Sequence, residues 1–70
     1  MTHLQAEVIL ALADNGLRIN NAARETYRHH NTIRYHIAEI QKETGLNPLD
    51  FWDMQKLVPM AQAVIKQQEE

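Results

Sequence analysis

The feature that most constrains this chain is the short distance between two segments with helical periodicity. Three isoleucines recur at helical spacing and mark one face of a helix predicted over residues 30–44: Ile33, Ile37 and Ile40. A shorter helix is predicted directly before it, over residues 21–27, where Asn20 or Asn21 can act as the N-cap. Because only a few residues separate the two helices, we expect them to meet at a steep angle, as in a helix-turn-helix.

Two further helices are predicted on either side of this pair. The first covers residues 3–14, with a capping box that begins at Thr2 and with Gly16 in the left-handed conformation just past the helix end. The last covers residues 51–67, with a kink near Pro59, because proline removes a helical hydrogen bond. No segment has the alternating pattern of a strand. The prediction is therefore an all-α, four-helix fold.

Length and composition limit the class of protein. The chain has 70 residues, of which 44% are hydrophobic and 23% charged, which is typical of one small globular domain over residues 1–70. It has no cysteine, so disulfides, thiolate metal sites and cysteine nucleophiles are excluded. No apolar run approaches the roughly 20 residues needed to span a bilayer, and the first residues lack the pattern of a signal peptide. We expect a cytoplasmic protein without membrane contact.

Catalysis has little support in the sequence. A chain of this size rarely builds a buried cleft, and we find no nucleophile elbow, glycine-rich phosphate loop or acid–base pair. His29, His30 and His36 are not spaced four residues apart, whereas two histidines that bind one metal ion from a helix have that spacing. The sequence therefore predicts a binding protein with no enzyme activity, no metal and no cofactor.

The charge is unevenly distributed along the chain. The formal net charge is −2, yet residues 21–36 carry three arginines against one glutamate, whereas residues 37–70 carry three lysines against six acids. The three arginines are Arg24, Arg28 and Arg34. Arginine forms bidentate bonds with phosphate and with the guanine edge. This distribution favours an anionic partner, although a few cations on a small surface can also cluster by chance.

Helical geometry predicts which residues lie on the exposed side of the helix at 30–44. If the three isoleucines face inward, a step of about 100° per residue turns Asn31, Arg34 and Tyr35 to the opposite side. His30 and Asn31 then lie on the first turn, where free backbone N–H groups attract phosphate. Such a turn suits a helix that enters the major groove of DNA. The alternatives are that Asn31 or Thr32 only caps the helix and that Tyr35 packs at a domain edge.

Three stretches carry a family resemblance: Ala-Ala at 22–23, His-His-Asn-Thr-Ile-Arg-Tyr-His-Ile at 29–37 and Thr-Gly-Leu at 44–46. Together they resemble the C-terminal helix-turn-helix domain of PucR/CdaR-type transcriptional regulators, over roughly residues 4–65. The resemblance implies a DNA-binding module that usually ends a longer regulator. It also implies that His29 is the N-cap of the recognition helix. The positions it implies as DNA-facing are His30, Asn31, Thr32, Arg34 and Tyr35.

The sequence departs from the family pattern at several positions. His30 and His36 stand where the family more often has arginine, while Thr26 and Arg28 stand where it usually has aliphatic residues. A buried arginine without a partner is costly, so we expect either a more open turn or a contact between Arg28 and a phosphate. If DNA binds, Arg24 and Arg28 are expected to hold its phosphates; otherwise they are solvated charges.

Two functions are consistent with these observations. The first is a transcriptional regulator domain that binds double-stranded DNA, as a homodimer or as part of a larger regulator, because one copy with so few cations would bind weakly. The alternative is a protein-interaction or dimerisation module with little affinity for DNA, favoured by the acidic surroundings and by histidine at positions 30 and 36. Phe51 and Trp52 are expected to pack in the core or at a hinge over the first helix, and the alternative is that they form a ligand cage.

Overall fold

The computed structural model describes residues 1–69, with the side chains of residues 1–67. Within that range the chain is all-α and contains no strand, as predicted. The four helices are α1 (His3–Asp14), α2 (Ile19–Glu25), α3 (His30–Thr44) and α4 (Phe51–Glu69). The bounds of α1 and α3 are those that the sequence predicts.

Helix α1 begins and ends with the local interactions expected for it. The Gln5 N–H donates to Oγ1 of Thr2 at 3.1 Å, and the Thr2 N–H donates to Oε1 of Gln5 at 2.9 Å, which completes the predicted capping box. Gly16 has a φ of 63°, as predicted for the left-handed residue. The Leu17 N–H then donates to the Leu12 carbonyl at 2.8 Å and closes the turn.

Helix α2 is shifted by two residues from its predicted position. It begins at Ile19 and follows Arg18 as N-cap, without a side-chain capping bond, so the expectation that Asn20 or Asn21 caps it is wrong. Ile19 is half-buried and packs against the core. Burying that side chain inside the first turn is worth more than the side-chain cap that a start at residue 21 would provide.

Helix α4 begins as predicted and ends at Glu69, two residues later than predicted. Pro59 lies within it on the exposed side, and the helix assignment is continuous across this residue, while the kink stays a prediction. Phe51 and Trp52 do not pack as expected, because their side chains are 59% and 73% exposed. The buried stripe of α4 is set by Met54, Leu57 and Ala61, and the helical step turns Trp52 to the opposite side.

The core is built around α1. This helix packs against each of the other three, and α2 packs against α3, whereas α4 forms no helix pair with α2 or α3 within the described residues. The largest fully buried aliphatic side chains come from three helices: Val8, Ile9, Leu12, Ile33, Ile40 and Leu57. Because α4 packs on α1 alone, it does not cover the side of α3 that faces away from the core.

Candidate nucleic-acid interface

Helix α3 has one buried and one exposed face. The three isoleucines lie in the core, with Ile33 fully buried and Ile37 7% exposed. Asn31, Arg34 and Tyr35 lie on the exposed side, and Tyr35 is 60% exposed. The orientation expected from helical geometry is therefore confirmed for these side chains. Their accessibility leaves them able to contact a partner that docks along α3.

The first turn of α3 is capped by a histidine. Nδ1 of His29 accepts a hydrogen bond from the Asn31 N–H at 3.1 Å, so His29 is the N-cap, the position that the family resemblance implies. An acceptor nitrogen cannot carry a proton, which places the ring proton of neutral His29 on Nε2. Neither Asn31 nor Thr32 is the cap; Asn31 is exposed and Thr32 is half-buried.

The ring of His30 lies next to that of His29. Their centroids are 4.1 Å apart and the ring planes are tilted by 33°. Both residues are exposed at the amino end of α3, where the helix dipole is positive. The pair therefore presents two adjacent imidazole rings at the start of the helix.

Two arginines of the helix-turn-helix share a depression with these histidines. Arg24 and Arg28 line it from the end of α2 and from the turn, and His29 and His30 line it from the start of α3. Arg28 is exposed, so the turn does not bury its charge. The Arg24 Nη2 donates to Oδ1 of Asn21 at 2.6 Å, which orients its guanidinium along the surface of α2. The depression is open and positively charged.

A second depression brings in an arginine that the sequence analysis did not select. Arg18 and Arg24 line it together with Arg34 of α3. Arg18 was missed because its role depends on the start of α2: a helix that begins at residue 19 makes Arg18 the N-cap and holds it beside α3. No local sequence signal marks this earlier start, because the burial of Ile19 depends on residues distant in sequence.

The arginines carry their charge without internal neutralisation. Among the described side chains, no carboxylate lies within 4.0 Å of Arg18, Arg24, Arg28 or Arg34. The contact between groups of opposite charge type in this part of the chain lies on α1, where Nε2 of His3 is 3.0 Å from Oε1 of Glu7. Exposed guanidinium groups without such partners are free to form bidentate bonds with external anions.

The turn between α2 and α3 begins with a polar residue, Thr26. The hydroxyl of Thr26 donates to the Ala22 carbonyl at 2.8 Å, so this half-buried side chain satisfies its own polar group. Ala22 is fully buried and Ala23 is 6% exposed, and both lack atoms beyond Cβ. These small residues allow α2 to approach its neighbours closely.

The described residues contain no group of three or more His, Asp or Glu side chains close enough to hold a metal ion. In the same part of the chain, no helix combines the length and the apolar character that crossing a membrane requires.

The comparisons with known proteins agree with this geometry. Residues 5–58 match the family described as the PucR C-terminal helix-turn-helix domain. The match includes all of α2 and α3, most of α1 and the first turns of α4. No curated protein and no solved structure matches the chain significantly. Since the family match covers well over half of its residues, the chain belongs to the PucR C-terminal helix-turn-helix domain family.

Proposed function

We propose that residues 1–70 form a domain of a transcriptional regulator that binds double-stranded DNA through α3. The observation that carries this proposal is the exposed face of α3, with Asn31, Arg34 and Tyr35 pointing away from the core. Membership of a helix-turn-helix family supports it independently. In this class of proteins the second helix of the motif enters the major groove, and its amino-terminal residues contact base edges.

The residues divide into two groups by position. Arg34, Asn31 and Thr32 lie on the helix that enters the groove, and Arg34 is the best candidate for a bidentate contact to guanine. Arg24 and Arg28 flank its amino end and contact phosphates, as does His29 through its Nε2 donor. His30 and Tyr35 lie beside them on the exposed surface. Phosphate contacts orient the helix, and base contacts provide specificity.

Two copies are required for firm binding. Each neutralised phosphate adds affinity by releasing counterions, and one copy of this chain offers few cations for that purpose. Two copies on DNA would contact half-sites about 34 Å apart, one helical turn of the duplex. The domain acts in the cytoplasm, as part of a larger regulator or as a homodimer, and we assign to it no catalytic activity and no cofactor.

The test is a selection of bound sequences from a random DNA library, followed by titration of the selected duplex. We expect the affinity to fall steeply as salt is raised, since the binding energy comes largely from phosphate contacts. Arg34→Ala should then weaken binding to the selected duplex by about 1–3 kcal/mol if Arg34 makes a bidentate base contact.

The matched control is Lys56→Ala, which removes one positive charge from the exposed surface of α4, a helix that does not pack on α2 or α3 within the described residues. It should change the affinity much less than Arg34→Ala. Equal losses for the two variants would mean that only net charge matters and that Arg34 has no specific contact.

A second candidate function is a protein-interaction or dimerisation module. The exposed aromatic rings of Phe51 and Trp52 favour it, together with the shallow apolar depression that Phe51 forms with Leu17, Met54 and Val58. Association of two copies through this surface would be insensitive to salt. Salt-insensitive self-association without measurable DNA affinity would support this function over the first.

A further inference from the structure

Two residues other than glycine have a left-handed backbone in the described part of the chain. Leu17 has a φ of 64° and Tyr27 a φ of 56°. This conformation is unfavourable for an L-residue, because Cβ approaches the following carbonyl oxygen. At the ends of α1 and α3 the chain uses Gly16 and Gly45 for the same backbone shape. A tyrosine at the end of α2 therefore needs a compensating contact.

The fold provides that contact for Leu17 and not for Tyr27. The side chain of Leu17 is half-buried and packs against the hydrophobic core. The side chain of Tyr27 is 96% exposed, so folding buries almost none of its ring. Strain that no internal packing offsets is typical of residues that contact a partner.

The backbone bonds of this turn do not require a tyrosine either. The Tyr27 N–H donates to the Arg24 carbonyl at 3.2 Å, and the Arg28 N–H donates to the Ala23 carbonyl at 2.9 Å. A glycine at position 27 would make the same bonds without the strain. The left-handed conformation of Tyr27 therefore lowers the stability of the fold, and no packing of its side chain within the molecule compensates.

The position of Tyr27 indicates what its side chain contacts. It borders the positively charged depression lined by Arg24, Arg28 and the two adjacent histidines. On its other side it borders a depression that contains Glu7, Asp14 and Glu25. Tyr27 therefore lies at the boundary between the basic and the acidic surface, which is where the edge of a bound polyanion must fall.

We infer that Tyr27 is a DNA-backbone contact at the edge of the interface, with its hydroxyl donating to a phosphate oxygen and its ring lying against the adjacent sugar. This inference rests on the proposed function. Tyrosine is one of the side chains that donate to DNA phosphates, and two χ angles make its ring less costly to immobilise than lysine or arginine.

The test uses Tyr27→Gly and Tyr27→Phe in the full chain, with the selected duplex as the probe. Tyr27→Gly should raise Tm by several degrees, roughly 4 °C, because the backbone strain that it removes exceeds the entropy that glycine adds to the unfolded chain. The same variant should weaken DNA binding by about tenfold through loss of a hydrogen bond to a charged group. Tyr27→Phe should leave Tm unchanged, because it keeps the ring and the backbone conformation. It should weaken DNA binding nearly as much as Tyr27→Gly does, because it lacks the hydroxyl that donates to the phosphate.

Leu17→Gly is the matched control, because it relieves the same backbone strain at a residue that packs in the core. It should lower Tm and leave the DNA affinity of the folded protein unchanged. A lower Tm in Tyr27→Gly would show a structural role for the ring and overturn the inference. Unchanged affinity in both Tyr27 variants would also overturn the inference. If the unmodified chain does not bind DNA at all, the proposed function and the inference fall together.

Discussion

The α1–α4 pair and the α2–α3 pair use their side chains differently. Helices α1 and α4 supply most of the buried core, and α1 carries two acids with no lysine or arginine. Helices α2 and α3 bury a small set of alanines and isoleucines and expose arginines, histidines and amides on the other side. In this small domain most of the buried core therefore lies in one helix pair, whereas the surface proposed for recognition lies on the other, and α1 packs against both α2 and α3.

The helix starts repeat this contrast. Helix α1 begins with the neutral side chains of Thr2 and Gln5, which bond to each other's backbone N–H groups. Helix α3 begins with His29, whose ring accepts a hydrogen bond only in its neutral form. The cap of α1 is therefore formed by two groups that do not ionise, whereas the cap of α3 is an imidazole nitrogen.

The largest expected effect is on stability, from a change in the α1–α4 pair. Leu57 is fully buried in α4, so Leu57→Ala should lower the free energy of unfolding by about 2–5 kcal/mol through lost burial and a cavity. Chemical denaturation followed by circular dichroism measures it. Lys56→Ala, at the exposed neighbouring position, should change stability by less than about 0.5 kcal/mol.

The separation of the two pairs gives this variant a second readout. If stability and recognition reside in different helices, the folded fraction of Leu57→Ala should bind the selected duplex as the unmodified chain does. Leu57→Val provides the same readout at a smaller cost in stability, should the alanine variant unfold. Reduced affinity in a folded Leu57 variant would show that α4 supports the geometry of α3. It would contradict the separation of stability and recognition between the two helix pairs.

The caps should give an intermediate effect. Thr2→Ala should lower the free energy of unfolding by about 1 kcal/mol, as loss of an N-cap side chain does, with no change in DNA affinity. His29→Asn should keep the cap of α3, because asparagine is a strong N-cap residue, and should lower the affinity by removing the Nε2 donor. Thermal unfolding and duplex titration of both variants provide the comparison. An unchanged affinity in His29→Asn would restrict His29 to capping.

The smallest expected effect is a dependence of DNA binding on pH. A phosphate near an imidazole favours its charged form, so the complex takes up protons and the affinity rises as the pH falls. We expect a gain of roughly two- to threefold between pH 7.5 and 6. His30 is the residue expected to carry this gain, because protonating Nδ1 of His29 would break the cap, whereas His30 borders the same depression and is not the capping residue.

A gel-shift titration at the two pH values measures this gain, and His30→Asn should remove it. His3→Asn is the control, because His3 lies on α1 and pairs with Glu7 there. If the affinity does not rise on acidification, the histidines of α3 are not beside phosphates.

The sequence predicts the fold well where one local rule dominates. Thr2, Gly16 and Gly45 fix helix ends through capping and left-handed turns, and the structure has these ends where they are expected. The start of α2 could not be predicted in this way, because the burial of Ile19 outweighs capping by Asn20 or Asn21, and burial depends on neighbours distant in sequence.

The candidate site divides in the same manner. The isoleucine spacing predicts which side of α3 is exposed, so Arg34 could be selected from the sequence alone. Arg18 could not, because its place beside Arg34 depends on where α2 begins. The exposure of Trp52 could have been predicted, because the stripe formed by Met54, Leu57 and Ala61 is visible in the sequence and the helical step turns Trp52 away from it.

The lack of carboxylate partners for the four arginines in the described part of the chain has a kinetic consequence. A guanidinium group held in an ion pair must first be released, and each release adds a barrier to association. Hydrated arginines on a rigid helical surface need only shed water and align, so encounter with a polyanion proceeds as docking of a preformed shape. Close to this surface the same groups would attract a polyanion although the net charge of the chain is −2, and this local attraction would orient the encounter.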